Sequence, residues 1–201
     1  SFIGMQPVPV VYGMTTGEYA GMLIAERWLS DRAMRPAVTV VACSHYAHDS
    51  LYQLPVGPSP NLPAMASVYL YPSLCFMEGT ACSVGRGTAY PFQLFGSPYF
   101  PDNLYPFVPR SVPGASDPVL NGTQCFGYLV AATKEDALAQ TQDKIRLRWL
   151  LRAYELYPDK AGFFNDRFSL LAGSDKLRQA IESHLSEQEI RKGWEKDLDR
   201  F

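Results

Sequence analysis

One loop of the sequence concentrates the residues that could perform chemistry. The stretch FMEGTACSVGRGTAYPF, residues 76–92, contains Glu78 and Arg86, which are the only charged side chains between Ser50 and Pro101. Its glycines let backbone N–H groups approach a ligand closely, and the planar guanidinium of Arg86 can bind a carboxylate. That carboxylate could belong to a ligand or to Glu78 itself. An internal Glu78–Arg86 ion pair that orders the loop is an equally valid interpretation.

The same loop does not match the motifs of two large enzyme classes. A nucleotide-binding phosphate loop has four residues between its glycines, then Lys followed by Ser or Thr. Here five residues separate Gly79 from Gly85, and Arg86 is followed by Gly87. A serine hydrolase is disfavoured because the sequence contains no G-x-S-x-G nucleophile motif. We therefore predict no nucleotide site and no cofactor.

A second polar group follows a β-branched run of the sequence. His45, His48 and Asp49 come directly after a predicted strand at residues 37–43, where α/β sheets usually bind ligands. No second cluster such as H-E-x-x-H accompanies them, so we predict no metal site. We expect His48 to hydrogen-bond a ligand or a backbone carbonyl. A hydrolase that uses His48 and Asp49 stays open as an alternative, and it would require a metal.

Aromatic and amide side chains near these groups suit a saccharide. The proline-rich segment at residues 55–63 carries Asn61, which could bind a polar ligand or cap a helix expected to begin at Pro63. Tyr and Phe are abundant nearby, and sugars offer hydroxyl groups for hydrogen bonds and apolar faces for stacking. Glycosidases usually need two carboxyl groups. The candidates among the first 130 residues are Glu18, Asp49, Glu78, Asp102 and Asp117.

The elements that must position these residues predict a mixed α/β fold. Thr15 or Thr16 can cap a helix through Leu29, and Pro63 can begin a short helix through Tyr71. The runs AVTVVAC and FGYLVAA, at residues 37–43 and 126–132, indicate buried strands. We expect a small mixed sheet with flanking helices, followed by a helical C-terminal part.

Charge divides the chain into two parts. Residues 1–130 carry 12 charged side chains and no lysine, whereas residues 131–201 carry 26. The second part predicts three helices that serve mainly for packing. Their signals are a Leu stripe from Leu147 to Tyr157 that ends before Pro158, a Ser174 cap with Leu177, Ile181 and Leu185, and a Ser186–Glu189 capping box with Ile190, Trp194 and Leu198.

The bulk composition excludes some partners. With 47% apolar residues, a net charge of −2 and a pI near 5.9, the 201-residue chain should fold around a core and should not bind nucleic acid. No apolar run approaches the length of about 20 residues that crosses a bilayer. The four cysteines show no C-x-x-C spacing. Because the chain opens at Ser1 with proline-rich sequence, we expect another segment to precede it.

Three stretches together resemble a known protein family. PVVYGMTTGEYAGML (9–23), SPNLPAMASVYLYPSLCFMEGTACSVGRGTAYPFQLFG (59–96) and FSLLAGSDKLRQAI (168–181) are similar to the DUF1343 family, and the similarity extends in order from about Pro7 to Phe201. Characterised members, of the NamZ type, are exo-β-N-acetylmuramidases that remove terminal N-acetylmuramic acid from peptidoglycan fragments. The motifs are most similar to the forms of Bacteroidetes-type bacteria.

The resemblance implies a division of the active site between domains. Family members possess a Rossmann-like N-terminal domain that would carry the principal catalytic carboxylate, and we expect that domain to be absent from this chain. All 201 residues would then form the C-terminal domain, with a motif-bearing part at 1–132 and a mainly helical part at 133–201. The substrate implies a periplasmic or extracellular location. A non-catalytic carbohydrate-binding or docking domain of a cell-wall protein is the alternative.

Matching motifs supply the site residues. Glu18 matches the family's GE, Asn61 its PSPN, Glu78 its EGT, and Arg86 with Thr88 its GRGT. We expect Glu78 to be catalytic, and we expect the substrate-binding residues to be Arg86, Thr88, Asn61, Glu18 and His48. Arg86 would bind the lactyl carboxylate of muramic acid or orient Glu78.

Four positions depart from the commoner family pattern EGTNLSEGRGTTRPFE. Ala81, Val84, Tyr90 and Gln93 replace Asn, Glu, Arg and Glu, respectively. These changes remove polar groups near the loop. They indicate either a subfamily or an altered specificity.

Overall fold

The chain separates into two units, residues 6–53 and residues 54–201, in a computed structural model that describes residues 6–29, 31 and 33–201. The glycine-rich loop lies in the second unit, together with the three strands of the sheet. Within the described residues, no helix is long and apolar enough to cross a membrane.

Helix α1 (Thr16–Ala25) begins where the sequence predicts. The Thr15 hydroxyl accepts a hydrogen bond from the Glu18 N–H, and the Glu18 carboxylate accepts one from the Thr15 N–H, which completes a capping box. The helix ends four residues before the predicted end at Leu29. It stops there because Arg27 adopts a φ of 58°, in the left-handed region that terminates helices.

The predicted buried strand at residues 37–43 is wrong. This run has no regular secondary structure, and its side chains are exposed, with Val41 at 89%. One member, Val40, lies against Gly17 of α1. A β-branched run forms a strand only when a neighbour pairs with its backbone, and the described residues of this unit supply no such neighbour.

The second unit contains a three-stranded sheet that confirms the mixed α/β class. Its strands are β1 (Leu94–Ser97), β2 (Tyr105–Phe107) and β3 (Cys125–Leu129), in the order β1-β3-β2. We expected a mixed sheet, but both pairings are antiparallel. The central strand β3 is the one that the run at residues 126–132 predicts. Gly96 and Gly127 face each other, and a Cβ on Gly127 would come within 1.9 Å of the Phe95 carbonyl oxygen.

Helix α2 (Met65–Leu74) leads directly into the loop that carries the candidate catalytic residue. It begins two residues after the predicted start at Pro63, because Ala64 still has an extended backbone with φ −129° and ψ 153°. After the last turn, which includes Pro72, the chain continues without a break into a 3₁₀ turn, Cys75–Gly79. Glu78 is therefore held on a continuous helical segment.

Six further helices follow β3. They are α3 (Lys134–Thr141), α4 (Arg148–Leu156), α5 (Phe168–Ala172), α6 (Lys176–Glu182), α7 (Glu187–Lys192) and α8 (Glu195–Arg200). The predicted stripe on α4 is confirmed, since Leu147 and Leu150 are fully buried and Tyr154 is nearly so. The Lys160 ammonium donates to three carbonyls at the end of α4 and closes the helix.

Two details of these C-terminal helices differ from the prediction. Asp175, not Ser174, occupies the N-cap of α6, and it makes no side-chain capping bond. The capping box of Ser186 and Glu189 is confirmed at α7. The helix predicted to continue to Leu198 is interrupted, because α7 ends before Gly193 and α8 starts afresh.

A buried amide joins the helical and sheet layers of the second unit. Gln93 is only 2% exposed, and it lies beside a core that includes Leu70, Leu74 and Phe95. Its carbonyl oxygen accepts a hydrogen bond from the Ser67 hydroxyl at 3.0 Å, and its amide nitrogen donates to the Ala131 carbonyl at 2.9 Å. The side chain thus connects α2 to the chain that leaves β3.

Replacement of this amide should destabilise the protein. Gln93→Leu leaves a buried hydroxyl and a buried carbonyl without their partner, so we expect the free energy of unfolding to fall by about 1–3 kcal/mol. Denaturant unfolding of the intact protein measures this change. Gln179→Leu, on the exposed side of α6, is the matched control and should leave stability nearly unchanged. Equal stability of the two variants would contradict the structural role of Gln93.

Candidate functional site

Two glycines in the left-handed region fix the backbone on either side of Arg86. Gly85 has a φ of 78° and Gly87 a φ of 79°. A Cβ on Gly85 would lie 2.5 Å from the Tyr90 carbonyl oxygen, and one on Gly87 would lie 2.3 Å from the Arg110 carbonyl oxygen. Only glycine fits both the backbone angles and the available space at these positions.

Hydrogen bonds close the loop around these glycines. Ser83 and Gly96 exchange two backbone hydrogen bonds, of 2.9 and 3.0 Å, so the loop begins against β1. The Phe92 N–H donates to the Val84 carbonyl at 2.8 Å and closes the loop's far end. Arg86 consequently projects from a rigid backbone.

The side chains of Glu78 and Arg86 form an ion pair. Arg86 Nη1 lies 3.1 Å from Glu78 Oε1, with the two side chains 39% and 29% exposed. Asn165 holds the backbone beneath the pair, because its side-chain amide donates to the Glu78 carbonyl and its N–H donates to the Gly79 carbonyl. Both predicted alternatives for Arg86 remain chemically available, since the pair is partly accessible and uses a single N–O contact.

The Arg86 guanidinium retains an unused donor. Its Nε is buried and has no hydrogen-bond partner within the part of the chain that the structure describes. A buried donor without a partner costs about 1–3 kcal/mol, whereas a partly exposed ion pair contributes about 0–1 kcal/mol. Stability alone therefore gives a weak reason for an arginine here.

The thiol beside Glu78 is unsuited to nucleophilic chemistry. Burial, and secondarily the negative charge of Glu78, raises the pKa of Cys75 to about 12. Cys75 therefore stays a protonated thiol at neutral pH. Among the residues that the structure describes, no three or more His, Cys, Asp or Glu side chains form a group that could hold a metal ion.

Thr88 and Asn61 each bind backbone of the same unit. The Thr88 hydroxyl donates to the Gly85 carbonyl at 2.7 Å and accepts from the Tyr90 N–H at 3.0 Å. The Asn61 amide donates to the Gly114 carbonyl at 2.8 Å, and it does not cap α2, whose N-cap is Ala64. Their substrate-binding roles stay predictions, but both side chains have a clear part in ordering the loops.

Glu18 and His48 meet in the first unit. His48 Nε2 lies 2.8 Å from Glu18 Oε2, so the ring contacts a carboxylate and not the backbone carbonyl that we considered. The hydrogen bond from His48, followed by the bonds to Thr15, lowers the pKa of Glu18 from 4.5 to about 2. Both side chains are largely exposed. Their assignment to substrate binding stays a prediction.

Three of the four departures from the commoner family pattern are buried or pack against an apolar cluster. Val84 and Gln93 are buried, and Tyr90 packs against the small apolar cluster of Leu94, Phe107 and Cys125. These positions contribute to packing beneath the loop. Sequence reasoning missed Asn165, which is 87 residues from Glu78 and carries no local signal.

Comparisons with known proteins identify the family of this architecture. The model of the C-terminal domain of exo-β-N-acetylmuramidase NamZ matches residues 69–201, and the model of its N-terminal domain matches residues 1–66. The peptidoglycan β-N-acetylmuramidase NamZ of Bacillus subtilis strain 168 is 32% identical over 217 residues. That similarity covers 100% of this chain and 51% of the relative.

A solved structure supports the same relationship. The crystal structure of a DUF1343 family protein from Bacteroides fragilis NCTC 9343 superimposes with a TM-score of 0.92 and 42% sequence identity. It matches 100% of this chain and 56% of its own length. The chain thus spans about half the length of the relatives it matches.

The family models meet between residues 66 and 69, whereas the structural units divide between residues 53 and 54. The predicted division at residue 132 stays a prediction.

Loss of His48 should raise the pKa of Glu18. In His48→Leu, whose side chain has no hydrogen-bond donor, we expect that pKa to move from about 2 toward 4.5, because the hydrogen bond from His48 is its largest cause. Since folding lowers this pKa, the associated stabilisation is present above pH 4.5 and is lost as the pH falls toward 2. An NMR titration of the Glu18 side-chain carbon measures the shift. His45→Leu is the control, and an unchanged pKa in His48→Leu would contradict this account.

Proposed function

Since this chain belongs to the NamZ exo-β-N-acetylmuramidase family, we propose that the protein containing it removes terminal N-acetylmuramic acid from peptidoglycan fragments. The observation that carries this proposal is the partly exposed Glu78–Arg86 pair on a rigid glycine loop. The pair places a carboxylate and a fixed cation at one point of the second unit.

Arg86 has the chemistry that recognition of muramic acid requires. N-acetylmuramic acid differs from N-acetylglucosamine by a lactyl ether that bears a carboxylate. A guanidinium binds such a group through charge-assisted hydrogen bonds, which are stronger than neutral ones. Arg86 uses one nitrogen for Glu78, so part of its donor fork stays available for the substrate. We infer that Arg86 distinguishes the two sugars.

Glu78 is the proposed catalytic carboxylate of this chain. Glycosidases generally use two carboxyl groups on either side of the scissile bond. Because the chain spans about half of its relatives' length, we propose that the second group lies in the remainder of the protein, which is also the proposed partner of this chain. Peptidoglycan as the substrate favours a periplasmic or extracellular location of the protein. We also propose that the protein comes from a Bacteroidetes-type bacterium.

Arg86→Lys tests recognition. A lysine keeps the charge but loses the planar fork, so kcat/KM on a MurNAc–GlcNAc disaccharide should fall about 10- to 100-fold in the intact protein. Released N-acetylmuramic acid is measured by mass spectrometry. Competitive inhibition by N-acetylglucosamine, which lacks the lactyl group, should change little.

The matched control for this experiment is Arg110→Lys, because Arg110 is exposed and contacts Gly87 of the loop through its backbone atoms. That variant should behave as the wild type. If Arg86→Lys weakened N-acetylglucosamine and the muramic acid substrate equally, Arg86 would not recognise the lactyl group. If the wild type released no N-acetylmuramic acid, the proposed activity itself would be wrong.

Glu78→Gln separates catalysis from carbohydrate binding alone. A catalytic carboxylate should lose about 100-fold or more in kcat, with little change in the melting temperature. A variant with normal turnover and a lower melting temperature would instead support the non-catalytic alternative. In that case the ion pair would serve only to order the loop.

A further inference from the structure

Tyr71 lies on the same helical face as Glu78. Helix α2 continues directly into the 3₁₀ turn Cys75–Gly79, so spacings of four and then three residues align Tyr71, Cys75 and Glu78. Seven residues of helix span about 10 Å. This face therefore has an aromatic side chain at one end and the Glu78–Arg86 pair at the other.

The Tyr71 ring is supported from within the protein and partly exposed. Its centroid lies 4.9 Å from that of Phe92, with an interplanar angle of 66°. Phe92 is buried and has a φ of 55°, an unusual value for a bulky residue. Tyr71 itself is 38% exposed. The loop thus uses a strained backbone to place a buried ring against an exposed one.

Electrostatics also connects Tyr71 with the ion pair. Burial is the main cause that raises the pKa of Tyr71, electrostatic interactions with Cys75 and with the carboxylate of Glu78 raise it further, and Arg86 lowers it. The phenol consequently stays neutral at physiological pH and presents an uncharged aromatic surface. It lies close enough to Glu78 and Arg86 for their charges to act on it.

An exposed aromatic ring at one end of this face and a guanidinium at the other fit an acidic sugar. Saccharides pack their apolar faces on aromatic rings, and a guanidinium binds a carboxylate substituent. We propose that Tyr71 packs against the sugar ring of the N-acetylmuramic acid residue whose lactyl carboxylate Arg86 binds. This proposal rests on the proposed function, because it takes the same substrate and the same ion pair.

The test compares KM with kcat for variants of Tyr71 in the intact protein. Tyr71→Ala should raise KM for MurNAc–GlcNAc about 10-fold or more and leave kcat within about 3-fold. Tyr71→Phe retains the ring and should stay close to the wild type. Tyr105→Ala is the control, because Tyr105 is exposed to a similar extent on β2.

Tyr71→Leu distinguishes contact with substrate from packing on Phe92. Leucine still covers the Phe92 ring but offers no aromatic face. We expect its melting temperature to stay near that of the wild type and its KM to rise as in Tyr71→Ala. The proposal would be overturned if Tyr71→Ala and Tyr71→Leu both kept the wild-type KM, or if these variants lowered kcat alone.

An NMR titration with N-acetylmuramic acid separates this proposal from the proposed activity. Binding should shift the Tyr71 ring resonances of the intact protein. If the Tyr71 resonances shift although the wild type shows no hydrolysis, the proposed contact is supported and the proposed hydrolase activity is wrong. If the wild type hydrolyses the substrate, its Tyr71 resonances do not shift and Tyr71→Ala keeps the wild-type KM, only the proposed contact is wrong. If hydrolysis and shift are both absent, both proposals fail.

Discussion

The close backbone approach at Gly79 is the constraint on which the site depends. A Cβ at this position would lie 2.6 Å from the Phe168 Cα, so only a glycine lets the 3₁₀ turn pack directly on α5. The contact is extended by the bridge between Thr80 and Phe164 and by the hydrogen bond from the Ala81 N–H to the Phe163 carbonyl. Glu78, immediately before the glycine, takes its position from this contact.

The C-terminal helices therefore do more than cover a core. Asn165 and Phe168 lie between α4 and α6, in a charged and helical region that shows no catalytic motif, yet they hold the backbone of the candidate catalytic residue. The glycine loop is attached to the sheet on its other side, through Ser83 and Gly96. The Glu78–Arg86 pair is thus positioned by two different layers of one unit, and the relative placement of these layers sets its geometry.

The sequence predicts best those features that depend on neighbouring residues. A capping box needs only a hydroxyl and a carboxylate three residues apart, and the one predicted at Ser186 forms as expected. At the first helix Thr15, one of the two predicted caps, is the N-cap, and it forms a further capping box with Glu18. The Glu78–Arg86 pair was one of two stated alternatives, because few other charges were available in that segment. In contrast, residues 37–43 have strong β propensity but find no strand partner among the described residues, and β propensity depends on such partners.

Long-range contacts explain the remaining differences. Nothing near Asn165 in the sequence indicates that it will bind the Glu78 carbonyl. The spacing of Tyr71, Cys75 and Glu78 was visible in the sequence, but it gained meaning only when the structure joined α2 to the 3₁₀ turn without a break. Periodicity finds a face of a helix, whereas the ligand that the face meets depends on what packs around it.

The amide of Gln93 has a consequence for the acid–base chemistry of the interior. An amide can accept from Ser67 and donate to Ala131 at the same time, at any physiological pH. A glutamate at this position could donate to that carbonyl only in its protonated form. With glutamine, the hydrogen bonds between α2 and the end of β3 require no proton from solvent, so this junction is insensitive to the acidity of the surroundings.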